Sequence, residues 1–64
     1  MVRVLKGYKV FLQLPNLDLQ ILGTTVIVDD NKIIVPAYEI IIYSNGYAKI
    51  MNETVKVIKH NIPV

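Results

Sequence analysis

Apolar and polar residues alternate along most of this chain, most cleanly over residues 2–14. Val2, Val4, Tyr8, Val10, Leu12 and Leu14 share one parity, broken only by Lys6, while Arg3, Leu5, Gly7, Lys9, Phe11 and Gln13 hold the other. A period of two predicts a long first strand. Gly7 predicts a bend or bulge inside it, and because the apolar parity continues across the glycine, one bent strand is favoured over a hairpin turning at Lys6-Gly7. Pro15-Asn16 then reads as a turn. A hairpin closed there sets Leu14 opposite Leu17, Leu12 opposite Leu19 and Val10 opposite Ile21, giving one apolar stripe. Beyond Ile21 the apolar positions change parity to Val26 and Val28. Gly23 sits at the switch, as a β-bulge requires.

The next turn is Asp29-Asp30-Asn31-Lys32. Centred on Asp30-Asn31, it sets Val28 opposite Ile33, Val26 opposite Val35, and Asp29 opposite Lys32 as a charge pair. Pro36 lacks a backbone donor and ends that strand. Asn45-Gly46, between two β-rich runs, is the strongest hairpin signal in the chain. With those two residues alone in the loop, Ser44 faces Tyr47, Tyr43 faces Ala48, Ile42 faces Lys49, Ile41 faces Ile50 and Ile40 faces Met51. One face of this hairpin then carries Ile41, Tyr43, Ala48 and Ile50. The other carries Tyr38, Ile40, Ile42, Tyr47 and Met51, with Lys49. Both faces are largely apolar, which predicts cover on both sides: the chain's own core on one, a second subunit on the other. After a break at Asn52-Glu53, residues 54–60 read as a last strand and 61–64 as a tail. No stretch has the period and caps of a helix.

The expected fold is all-β: a small antiparallel barrel or strongly bent meander of five to six strands, SH3-like or OB-like in size, forming a single domain over 1–64. At 64 residues such a domain is marginal as a monomer. The absence of cysteine removes disulfides and thiolate metal sites as its support. Hydrophobic content of 53% and a mean hydropathy of +0.45 point the same way, toward a homo-oligomer. Its interface would be the hairpin face of Tyr38, Ile40, Ile42, Tyr47 and Met51.

Charge changes the picture modestly. Net charge is +2, which permits nucleic-acid binding without demanding it. No run is apolar enough for a membrane span and no secretory signal is evident, so a cytoplasmic location is the expectation. Candidate chemistry is sparse. Ser44 is the only serine, with no histidine placed to activate it. Asp29, Asp30 and Asn31 form a turn that offers too few ligands for a cation. His60, the only histidine, ends a strand as surface histidines commonly do. Asn52-Glu53-Thr54 matches a glycosylation sequon by chance. The one constellation worth defending is basic and aromatic. Arg3, Lys9 and Phe11 share a parity on the first strand, and Lys56 and His60 share a face of the last, which a barrel can bring alongside. Cations supply phosphate affinity and an aromatic ring supplies a stacking platform. The expected function is therefore a non-catalytic binding module for DNA or RNA, without cofactor, metal or small-molecule substrate. The alternative is a homo-oligomeric interaction or structural module assembling through residues 38–51.

Overall fold

In the computed structural model, which describes residues 1–63, the chain forms seven strands and one 3-10 turn. The strands are β1 (Arg3–Gln13), β2 (Asp18–Val28), β3 (Lys32–Val35), β4 (Ile40–Tyr43), β5 (Tyr47–Ile50), β6 (Glu53–Lys56) and β7 (Lys59–His60). All pair antiparallel in one sheet of order β6-β5-β4-β3-β2-β1-β7. The fold is all-β and barrel-like. Seven strands replace the five or six expected because 54–60 is not one strand. It pairs first with β5 and then, after Val57 and Ile58, with β1 at the opposite end of the sheet order. Three Cα steps separate Lys56 from Lys59, so the two edges approach within about 11 Å there. Consecutive amides tie them together: Val57 N–H donates to the Gly46 carbonyl at 2.9 Å and Ile58 N–H to that of Gln13 at 2.8 Å.

The β1–β2 hairpin has the register that its apolar stripe predicts, with Leu12 opposite Leu19 and Val10 opposite Ile21. Two bulges interrupt it, one in each strand. Lys6 and Gly7 lie between Leu5 and Tyr8, across from the single residue Thr25; Leu22 and Gly23 lie between Ile21 and Thr24, across from Lys9 alone. Gly7 has φ 65° and Gly23 φ 67°, conformations that cost an L side chain about 1–2 kcal/mol. The two insertions cancel, so Leu5 meets Val26 in the register set by the turn. The parity of β1 nevertheless flips at Gly7, against the sequence reading. Leu5 packs against the core while Val2 and Val4 are exposed.

Val28 meets Ile33 across the second turn, as expected, and Asp29 N–H donates to the Lys32 carbonyl at 2.8 Å. No Asp29–Lys32 ion pair forms. Asp29 Oδ1 instead accepts the Asp30 amide at 2.7 Å. Pro36 starts a 3-10 turn, Pro36–Tyr38, that ends at Glu39 in the left-handed region.

The Asn45-Gly46 hairpin exists with a different register. Ile41 pairs with Lys49 and Ile42 with Ala48, one residue from the predicted partners. Its loop holds three residues, Ser44, Asn45 and Gly46. The Gly46 amide donates to the Tyr43 carbonyl at 3.2 Å, and Gly46 takes φ 89°. This is a three-residue loop closed by a glycine bulge. The slip turns every side chain of β5 over. Ile40, Ile42 and Ala48 all enter the core, and Tyr47 and Lys49 face out. Met51 therefore does not oppose Ile40. It forms, with Asn52, the two-residue turn between β5 and β6.

The core gathers Val10, Leu12, Ile21, Val26, Val28, Ile33, Val35, Ile40, Ile42, Ala48, Val57 and Ile62. Ile62 belongs to the expected tail, whose last residue, Val64, lies outside the described residues. The tail is held along β1. Asn61 Nδ2 donates to the Lys9 carbonyl and its Oδ1 accepts the Phe11 amide, both at 2.8 Å. Tyr8 Oη donates to the Asn61 carbonyl. One side chain thus supplies the donor and acceptor that another strand residue would give, covering an edge that would otherwise be open to pairing.

Candidate nucleic-acid interface

Strand directions divide the molecule into two ends. One gathers the start of β1, the end of β2, the β2–β3 turn, the β4–β5 loop and residues 57–60. There the sheet leaves a concave mouth of about 820 Å³. Its floor is apolar, with Val28, Ile33, Ile42 and Val57, all buried. Its rim carries Arg3, Lys32, Lys59 and His60 against Asp29 and Asp30, with Asn31, Tyr43 and Ser44 beside them.

Both acids are engaged locally. Asp29 caps the Asp30 amide, and Asp30 Oδ1 pairs with the Met1 ammonium at 2.6 Å. This is the one ion pair among the described residues, so Lys32 and Lys59 have no carboxylate within 4.0 Å there. Lys32 lies opposite Tyr43 on the β3–β4 ladder. It is half-buried, as a lysine is when its stem covers apolar surface and its ammonium reaches water. Tyr43 is 40% exposed.

The bulge at Gly7 decides where the predicted basic face goes. Arg3 pairs with buried Val28, so its side chain starts on the core side of the sheet and reaches the rim, where Nη2 donates to the Pro63 carbonyl at 3.0 Å. His60 pairs with buried Leu12 and also lines the mouth. Lys9 and Phe11 lie on the outer face with Gln20, the cross-strand partner of Phe11. Lys56 stands opposite Tyr47 on β6 and lines neither place. The five residues therefore do not form one face. Arg3 and His60 come together, Lys9 and Phe11 stay together, and Lys56 is apart. Lys32, Tyr43 and Lys59, which pattern reading missed, border the mouth from the outer face of the sheet, each one residue out of phase with the core-side pairs Ile33–Ile42 and Leu12–His60. Lys59 was reachable had the break before β7 been seen, since it pairs with Gln13. Lys32 was assigned to an ion pair with Asp29 that does not form.

Ser44 and His60 line the same cavity with two aspartates, yet their state is wrong for nucleophilic catalysis. The Ile62 amide donates to His60 Nδ1 at 3.1 Å. The imidazole proton is then on Nε2, leaving no lone pair to take a serine proton. Among the described residues, no group of three or more His, Asp or Glu side chains is placed to hold a metal ion.

The opposite end carries an apolar groove of about 350 Å³. It is lined by Leu14, Leu17, Leu19, Ile21, Tyr38, Ile40, Ile50, Met51 and Val55, with Gln20 and Glu53 as its polar members. Leu17, Tyr38 and Met51 are 58%, 54% and 84% exposed. The predicted interface is dispersed accordingly. Tyr38 and Met51 border this groove, Ile40 and Ile42 are core residues, and Tyr47 lies on the outer face.

Among the described residues, no helix is long and apolar enough to cross a membrane. No family model, curated protein or solved structure matches the chain, so the reading of the site rests on its own geometry.

Proposed function

We propose that this protein is a non-catalytic nucleic-acid-binding module, an SH3-like or OB-like small barrel acting in the cytoplasm and binding through its charged mouth. The observation that carries this reading is the mouth itself. Asp29 accepts an amide within the turn and Asp30 pairs with the Met1 ammonium, its lysines have no carboxylate partner among the described residues, and its floor is apolar. Phosphates pair with unengaged cations, and the flat faces of bases suit apolar surface. A volume of about 820 Å³ falls within the roughly 300–1,000 Å³ of pockets that enclose molecules of nucleotide size. Lys9 and Phe11, on the outer face, are left a secondary role.

The test is fluorescence anisotropy with a labelled mixed-sequence oligonucleotide at low and moderate salt. Affinity should fall with salt, with a log–log slope near −0.7 for each phosphate neutralised on a single strand. Lys32→Glu with Lys59→Glu should abolish binding, and Lys9→Glu with Phe11→Ala should weaken it less. Absence of binding by the wild-type chain at low salt would sink the reading.

The apolar groove favours a second, compatible reading: self-association at the opposite end. An assembly would multiply a weak basic site into a useful one. Sedimentation of the same samples decides this, because a monomer at high protein concentration removes the second reading and leaves the first intact.

A further inference from the structure

We infer that the outer face of β3–β6 is a stacking platform for single-stranded nucleic acid, with unpaired bases laid on Tyr43 and Tyr47. This rests on the nucleic-acid reading and carries the strand from the rim of the mouth onto the outside of the sheet.

Register builds the platform. Lys32 pairs with Tyr43 across β3 and β4, and Tyr47 pairs with Lys56 across β5 and β6. The ladder that sets Ile42 opposite Ala48 brings Tyr43 opposite Tyr47 one step on. Four neighbouring strands therefore hold a single row: cation, ring, ring, cation. Its members alternate with buried Ile33, Ile42 and Ala48 and half-buried Val55, so all four side chains leave the sheet on the side away from the core. Strands lie about 4.7–4.9 Å apart, which sets the two tyrosines one step apart and the two lysine backbones about 14–15 Å apart. The loop fixes both ring-bearing residues: the Gly46 amide donates to the Tyr43 carbonyl at 3.2 Å, and Asn45 Oδ1 accepts the Tyr47 amide at 3.1 Å.

Both rings are open. Tyr43 is 40% exposed and Tyr47 43%. Neither hydroxyl has a hydrogen-bond partner among the described residues, unlike that of Tyr8. Aromatic rings exposed on a sheet face stack unpaired bases, two or three to a four-stranded sheet. The next row along the strands holds Ile34, Ile41 and Lys49, adding apolar surface and a third cation.

Charge on this face has one sign. Lys32, Lys49 and Lys56 have no carboxylate within 4.0 Å among the described residues. Glu53, the only acid in β3–β6, pairs with Ile50 and turns to the core side, where it lines the groove at the other end. A polyanion complements such a face, and the rings decide which one: a base stacks on them and a carboxylate does not. A duplex offers phosphates but hides its base faces within its own stack.

The experiment titrates the intact chain, at matched low salt, with labelled 12-nucleotide mixed-sequence strands of DNA and RNA, the DNA duplex, and a 12-residue polyglutamate peptide. The better single strand should bind at least about tenfold more tightly than duplex or peptide. Tyr43→Thr and Tyr47→Thr each remove a ring and keep a residue that favours strands. Each should weaken single-strand binding by roughly 5- to 100-fold, the loss expected for one stacked base. Tyr43→Phe and Tyr47→Phe should retain it, and Lys56→Gln should lower the salt slope by about 0.7. Amide NMR dispersion checks that the variants fold. In the wild type, the ring protons of both tyrosines should move upfield as strand is added. Full single-strand affinity in the folded threonine variants, or unmoved ring protons at saturation, overturns the platform and leaves the mouth as the site. Equal or tighter binding of the duplex also overturns this inference and leaves the nucleic-acid reading standing. Equal binding of polyglutamate overturns it in favour of an acidic protein segment. No binding of any nucleic acid removes both proposals.

Discussion

The chain contains two hairpins that the sequence marks clearly, one turning at Pro15-Asn16 and the other at Asn45-Gly46. The weaker turn signal has the expected register and the stronger one does not. At Pro15-Asn16 the strands themselves carry the information. Leu12, Val10, Leu19 and Ile21 form one apolar stripe against polar neighbours, so any slip would expose them, and the observed pairs are those of the stripe. At Asn45-Gly46 the strand Ile40–Tyr43 is apolar on both faces. Its pattern is silent about register, and the turn alone must decide. Asn-Gly fits a two-residue turn with both residues at positive φ, and equally a three-residue loop in which only the glycine is left-handed. The chain uses the second. A turn dipeptide therefore locates a hairpin, while the alternation of its strands sets the register.

The sharpest way to break this comparison is to charge the position that the two registers treat differently. In the observed register Ala48 is fully buried opposite Ile42. Ala48→Lys should place an unpaired charge in the core and destabilise by about 4 kcal/mol or more, enough to unfold a domain of this size. Ile41→Ser, on the outer face, should cost about 1 kcal/mol. Urea denaturation measures both. In NMR spectra of the wild type, cross-strand contacts should join Ile42 to Ala48. Contacts joining Ile41 to Ile50, with a stable Ala48→Lys variant, would restore the two-residue loop.

The same logic explains how much of the rest was legible. Turns at Pro15-Asn16 and Asp30-Asn31, the stop at Pro36 and the bulge at Gly23 each leave a local mark in residue type or parity, and each is present. The bulge at Gly7 leaves a glycine and no readable change of parity, because Val2, Val4 and Leu5 are all apolar. That ambiguity carried Arg3 onto the wrong face and split the predicted basic patch. The division of 54–60 into β6 and β7 has no local mark at all. It follows from closing the sheet, since Val57 and Ile58 must reach hydrogen-bond partners on opposite edges. The mouth depends on that closure, so Lys59 and Tyr43 could be seen in the sequence and their proximity could not.

The smallest predicted effect inverts the comparison, because the two-residue turn that Asn45-Gly46 does not form is formed elsewhere. Ile50 pairs with Glu53, and the intervening Met51 and Asn52 have φ of 52° and 65°. Positive φ at both central positions is what a type I′ turn needs, and it favours Asn and Gly. Asn52 suits its place. Met51 does not, and a β-carbon in the left-handed region costs about 1–2 kcal/mol. Its side chain is 84% exposed, so replacing it loses little packing within the chain. Met51→Asn should stabilise by about 0.5–1 kcal/mol, raising the thermal midpoint by roughly 2–8 °C. A lowered midpoint, accompanied by a smaller sedimenting mass, would show instead that a second copy covers Met51. The strained turn would then be the means of presenting that side chain at the apolar end, at the expense of the local conformation.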